Sequence, residues 1–112
     1  DACIIEIEDI TQRMSDVINT IHSTSDATVA LVAYYPAEVN GSFIGECFPY
    51  VEQLNDSYRQ LADNDPKVQV IETYGAGHAI IQKVSPFGKD NYHPTPDGSE
   101  QMAAQIKFQL GL

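Results

Sequence analysis

The run Thr28-Val29-Ala30-Leu31-Val32-Ala33-Tyr34-Tyr35 constrains this chain more than any other segment. It is apolar and rich in β-branched and aromatic residues almost without interruption, and Pro36 closes it. A strand that faces water on one side alternates apolar and polar residues. A continuous run is the pattern of a strand covered on both faces, as in the parallel sheets of α/β proteins. Such strands belong to sheets with several neighbours and with helices on each face. The question posed by this sequence is whether 112 residues supply those neighbours.

Helices flank the run. From Ile7 the apolar residues fall at Ile10, Met14, Val17, Ile18 and Ile21, a three-and-four spacing that predicts an amphipathic helix. Glu8, Gln12, Asp16 and Asn19 take the opposite side, and Ser23-Thr24-Ser25 should end it by competing for backbone hydrogen bonds. Glu6, Glu8 and Asp9 read as a solvated face that also complements the helix N-terminus. After a loop over 37–47, Pro49 suits the first turn of a second helix with Val51, Leu54, Tyr58 and Leu61 inward. Asn64-Asp65-Pro66 breaks that helix, and Val68 to Ile71 predicts a short second strand. Tyr74 to Lys89 has no periodicity, and a loop of that length inside a domain is commonly functional. Thr95 as N-cap and Pro96 at the first helical position then open a last helix, whose dipole Asp97 and Glu100 complement. Its inward residues are expected to be Met102, Ala103, Ile106 and Leu110.

The expected class is therefore α/β, with residues 1–112 forming a single unit that has no repeat and no linker. Two short parallel strands and three helices leave the first strand short of neighbours and of cover. The chain reads as half of a wider sheet.

Composition removes whole classes of function. Sixteen acidic against six basic side chains give a net charge of −10, which repels phosphate backbones and anionic headgroups. The 43% apolar content supports a packed core, and no apolar run approaches the roughly 20 residues of a membrane span. Cys3 and Cys47 permit one bridge, which an oxidising compartment favours, and their number and spacing do not suit structural zinc. Sequons at Asn40 and Asn55 are compatible with secretion, so an extracytoplasmic location is expected. Asp1, with no Met and no leader before it, reads as a processed or engineered start.

The chemistry resides in Asp90-Asn91-Tyr92-His93-Pro94. An aspartate three residues ahead of a histidine, across a tight turn, can return its carboxylate to the imidazole Nδ1–H. That bond sets the tautomer, leaves Nε2 as an acceptor and stabilises the imidazolium once a proton arrives. Pro94 stiffens the backbone after the base and favours an extended His93. A pair of this kind, taken alone, is more often structural than catalytic. As a metal site it lacks ligands, since only His78 could supply a third. The other two histidines carry less weight: His78 is expected to hold its loop, and His22 to sit on the surface.

The stretch Asp90 to Gly98, running into Met102-Ala103-Ala104, resembles the last sequence block of SGNH/GDSL hydrolases, a D-x-x-H-P turn before the final helix. Val29 to Pro36 is similar to that family's central strand with its Tyr-Pro, and Tyr74-Gly75-Ala76-Gly77-His78 to an aromatic-x-G-H stretch of secreted bacterial members. The resemblance spans nearly the whole chain, although only the D-x-x-H-P block is specific. It implies a flavodoxin-like three-layer α/β/α fold, carboxylic-ester hydrolysis by a catalytic triad without metal or organic cofactor, His93 as base and Asp90 as its orienting acid.

The departures from the family pattern are as informative. No G-D-S motif is present: in the Gly-Ser pairs Gly41-Ser42 and Gly98-Ser99 no Asp stands directly before the Ser, and no strand is expected ahead of either. The oxyanion-hole Gly has no match, and Asp1-Ala2 falls where the final Asp of the family's G-x-N-D motif is expected. The resemblance thus implies that Ser, Gly and Asn belong to a segment N-terminal to this one, which would also complete the sheet and act as its partner. Each lost oxyanion donor alone costs about 10²–10³ in rate, so this chain by itself is expected to be inactive. Phe43, Ile44, Phe48, Ile80, Ile81 and Phe87 would lie in the loops beside the site, as pocket or as packing. The competing reading, supported by the missing Ser motif, is a non-catalytic interaction module that uses an incomplete sheet edge to bind a partner or itself. An α/β-hydrolase fragment is disfavoured by the three-residue Asp–His spacing.

Overall fold

A computed structural model of the chain describes residues 2–34, 50–72 and 96–112. It is mixed α/β and mostly helical, with the order α1 (Ala2–His22), β1 (Val29–Val32), α2 (Val51–Asp63), β2 (Val68–Ile71) and α3 (Pro96–Leu110). The two strands pair in one parallel sheet. Its register is set by Val29 N–H donating to the Lys67 carbonyl at 2.8 Å and Ala33 N–H donating to that of Ile71 at 3.0 Å. Advancing four residues on each strand together is the signature of a parallel ladder.

The chain divides into two compact units. The first comprises Asp1–Leu31 with Pro49–Val70. Its core joins Ile18 of α1, Leu54 and Tyr58 of α2, Leu31 of β1 and Val68 of β2, with Ile7, Ile10, Met14, Val29, Leu61 and Val70 packed around them. Val29 and Leu31 share one face of their strand, as do Val68 and Val70, because side chains alternate with period two. Both helices therefore cover the same face of the sheet. Each buried aliphatic side chain there contributes about 1.5–3 kcal/mol relative to exposure.

Helix ends follow local chemistry. At the end of α1, the Ser23 hydroxyl donates to the Thr20 carbonyl at 2.7 Å and that of Thr24 to the Ile21 carbonyl at 3.4 Å, the competition expected of this cluster. After α2, the Asp65 carboxylate accepts the Lys67 N–H at 2.9 Å and its carbonyl accepts the Val68 N–H at 3.0 Å. This Asx turn reverses the chain straight into β2. Pro49, expected to open α2, lies outside the described residues, and Tyr50 takes the N-cap position without a side-chain cap.

In the second unit, Val32–Phe48 with Ile71–Leu112, Ala33 and Ile71 are buried. Helix α3 ends in a Schellman arrangement: Gly111 adopts φ 73°, its N–H donates to the Phe108 carbonyl at 3.1 Å, and the Leu112 N–H donates to that of Lys107 at 2.9 Å. Glycine suits this left-handed position because it has no Cβ to clash.

Several expectations change. Val17, assigned to the inward stripe of α1, is 53% exposed, while its neighbour Ile18 is the buried residue at 4%. Val17 lies on the flank of the apolar arc, where periodicity alone does not separate inside from outside. Helix α1 also begins at Ala2, so Glu6, Glu8 and Asp9 are solvated but sit beyond the first turn, where the dipole acts. In α3, Ala103 is exposed and Gly98 is buried instead. The strand expected over Thr28 to Tyr35 is assigned only over Val29–Val32, with its ladder reaching Ala33; Tyr35 and Pro36 lie outside the described residues. Its burial is uneven: Leu31 and Ala33 are buried, whereas Val32 and Tyr34 are 39% and 56% exposed, although Ile71, beside Val32 on β2, is fully buried.

Candidate functional site

Asp90 and His93, the residues on which the chemistry was placed, lie outside the described residues. So do Cys47, the sequon at Asn40, His78 with its glycines, the apolar residues Phe43, Ile44, Phe48, Ile80, Ile81 and Phe87, and the N-cap candidate Thr95. What is described is the framework on either side: the end of β1, the end of β2 and the start of α3.

Helix α3 begins at Pro96, two residues after the D-x-x-H-P block ends. Asp97 stands in its first turn and Gly98 is buried there.

The exit of β2 is held from a distance of 37 residues in sequence. The Glu72 N–H donates to Oε1 of Gln109 at 2.9 Å, and Nε2 of Gln109 donates back to the Glu72 carbonyl at 2.6 Å. One carboxamide thus satisfies the main-chain donor and acceptor of a single residue, as a neighbouring strand would. The strand's entry is held by charged and polar groups. Asp65 Oδ2 lies 3.3 Å from His22 Nδ1, and His22 Nε2 lies 3.1 Å from the Ala27 carbonyl. Lys67 Nζ pairs with the Asp26 carboxylate. The His22 ring is only 19% exposed, so it is a joint between α1 and the turn before β2, not the surface group expected.

Two further polar positions were not anticipated. Asn55 is 1% exposed, and its Nδ2 donates to Oε1 of Glu52 at 3.0 Å. A sequon asparagine packed into the middle of a helix has no space for a glycan in the folded state, which removes Asn55 from the features read as favouring secretion. Cys3 is disulfide-bonded. The only other cysteine in the sequence is Cys47.

Among the described residues no group of three or more His, Cys, Asp or Glu side chains could hold a metal ion. None of the described helices is long and apolar enough to cross a membrane. An open groove of about 310 Å³ runs between α1 and α2, lined by Ile7, Thr11, Gln12, Ser15, Ser57 and others, with Glu8 as its charged residue. The three hydroxyls of Thr11, Ser15 and Ser57, without an imidazole or thiol among the lining residues, do not make a nucleophilic site. Comparison with protein-family models, with curated proteins and with solved structures finds no match to this chain.

Proposed function

We propose that this chain supplies the histidine and aspartate of a serine ester hydrolase of SGNH/GDSL type, with the nucleophilic serine and the oxyanion hole carried by an N-terminal segment or another chain. The observation that carries the reading is the D-x-x-H-P block Asp90 to Pro94, set immediately before a helix that opens at Pro96. In the assembled site His93 takes the proton of the serine hydroxyl as it attacks the ester carbonyl, and Asp90 orients the ring and stabilises the imidazolium. The alkoxide of the leaving group receives that proton, and water then hydrolyses the acyl-enzyme with His93 again as base.

Two features of the fold support the reading. A parallel ladder of two strands with α1 and α2 on one face is compatible with part of a flavodoxin-like α/β/α sheet. The outward residues Val32 and Tyr34 are apolar and aromatic, yet exposed, as expected of a strand whose second face is covered by structure supplied from elsewhere. An extracytoplasmic setting fits the disulfide at Cys3.

The same exposed residues favour a second reading, a non-catalytic module that covers this face by binding a partner. Fluorophosphonate labelling separates the two. This chain alone should remain unlabelled under both, whereas a preparation that retains the complementary segment is labelled on that segment only if the enzyme reading holds. Absence of label from such an assembled preparation refutes it.

A further inference from the structure

Every sheet edge is an open row of main-chain donors and acceptors onto which another strand can pair. In β2 the carbonyls of Lys67 and Ile71 point to β1, because they accept the Val29 and Ala33 N–H groups. Main-chain groups alternate sides along a strand, so those of Val68, Val70 and Glu72 point to the opposite, outer edge. Both ends of that outer edge are already engaged. The Val68 N–H donates to the Asp65 carbonyl, within the turn that precedes the strand. The N–H and carbonyl of Glu72 are both taken by the Gln109 carboxamide. An incoming strand needs consecutive outward positions, and among the described residues it would meet only the Val68 carbonyl and Val70 between the engaged Val68 N–H and the fully engaged Glu72.

We infer that Gln109 is an edge-blocking residue, whose side chain stands in for a terminal strand and prevents β2 from pairing with a second copy of this chain. The device is held ready by the helix end. Gln109 lies two residues before Gly111, and the Schellman bonds from Gly111 to Phe108 and from Leu112 to Lys107 fix the turn that carries it. A flexible side chain presented from a frayed helix terminus could not hold two bonds to one residue. The inference is independent of the hydrolase reading and of any residue in the D-x-x-H-P block.

The test uses the full chain with Gln109→Leu, which removes both hydrogen bonds at similar volume, and Phe108→Ala as a control on the same turn, since Phe108 is exposed. Residue-resolved amide hydrogen exchange should show the Glu72 N–H exchanging at least tenfold faster in Gln109→Leu and unchanged in Phe108→Ala. Sedimentation velocity at equal concentration should show a raised weight-average coefficient for Gln109→Leu only. Unchanged Glu72 exchange, or sedimentation identical to the unsubstituted chain, overturns the inference. Should Gln109→Leu fail to fold, the unsubstituted chain decides: a Glu72 amide that exchanges as fast as an unstructured one overturns it, and a protected one upholds it.

Discussion

Replacing Ile18 and Val17 separately by alanine tests the packing of α1 at single-residue phase. Ile18→Ala removes three carbons from a side chain that is 4% exposed and joins both helices to the sheet. At about 0.8 kcal/mol per buried carbon the transfer loss is roughly 2.4 kcal/mol, and the residual cavity raises the total to about 3 kcal/mol. Val17→Ala removes two carbons from a side chain that is half in water. The loss there is under about 0.8 kcal/mol on the same scale. It is largely offset by the better helix propensity of alanine, worth roughly 0.5 kcal/mol. Urea unfolding followed by far-UV circular dichroism reads both. With a slope of about 1–2 kcal/mol per molar for a domain of this size, Ile18→Ala should lower the midpoint by more than about 1.5 M. Val17→Ala should leave it within roughly 0.5 M. Equal effects of the two substitutions, or a loss below about 1 kcal/mol for Ile18→Ala, would refute the assignment of Ile18 as the residue that anchors α1.

Other consequences follow from the same contacts. Reducing the disulfide at Cys3 should destabilise the chain by about 2–4 kcal/mol, seen as a lower thermal midpoint with reductant than without; an unchanged midpoint contradicts it. Asp65→Ala should cost about 1–2 kcal/mol by removing the Asx turn to the Lys67 N–H and the partner of His22, whereas Asp65→Asn, which keeps the turn acceptor, should cost less; the order of the two in urea unfolding is the test. Expression in a host that attaches N-glycans should leave Asn55 unmodified in folded protein, and peptide mass spectrometry finding a glycan there would show that its burial is wrong.

The elements legible in the sequence were those set by local chemistry. β2 is assigned over Val68–Ile71 as expected, because the Asp65 turn starts it at one register and β-branched residues fill it. The buried pair Leu54 and Tyr58 emerged from simple helical periodicity. Features carried by long-range contact were not legible. Nothing in a glutamine near a chain end signals that its carboxamide will pair with a backbone 37 residues earlier, and nothing in a sequon signals that its asparagine will be buried. Val17 failed for a third reason: an apolar arc has edges, and neighbouring helices decide how far it is covered. The continuous run in β1 has the pattern of a strand that needs cover on both faces, and the exposure of Val32 and Tyr34 agrees with the shortage of cover expected from so few elements. Of the candidate site, Asp90 and His93 were legible only in sequence and lie outside the described residues, between the end of β2 and the start of α3 along the chain.

The most direct measurement is p-nitrophenyl ester hydrolysis by this chain joined to its N-terminal complement, with and without His93→Ala. The account predicts turnover by the assembled protein, none by this chain alone, and a fall of about 10⁴ or more on replacing His93. Assembled protein that hydrolyses the ester equally well without the His93 imidazole would contradict it.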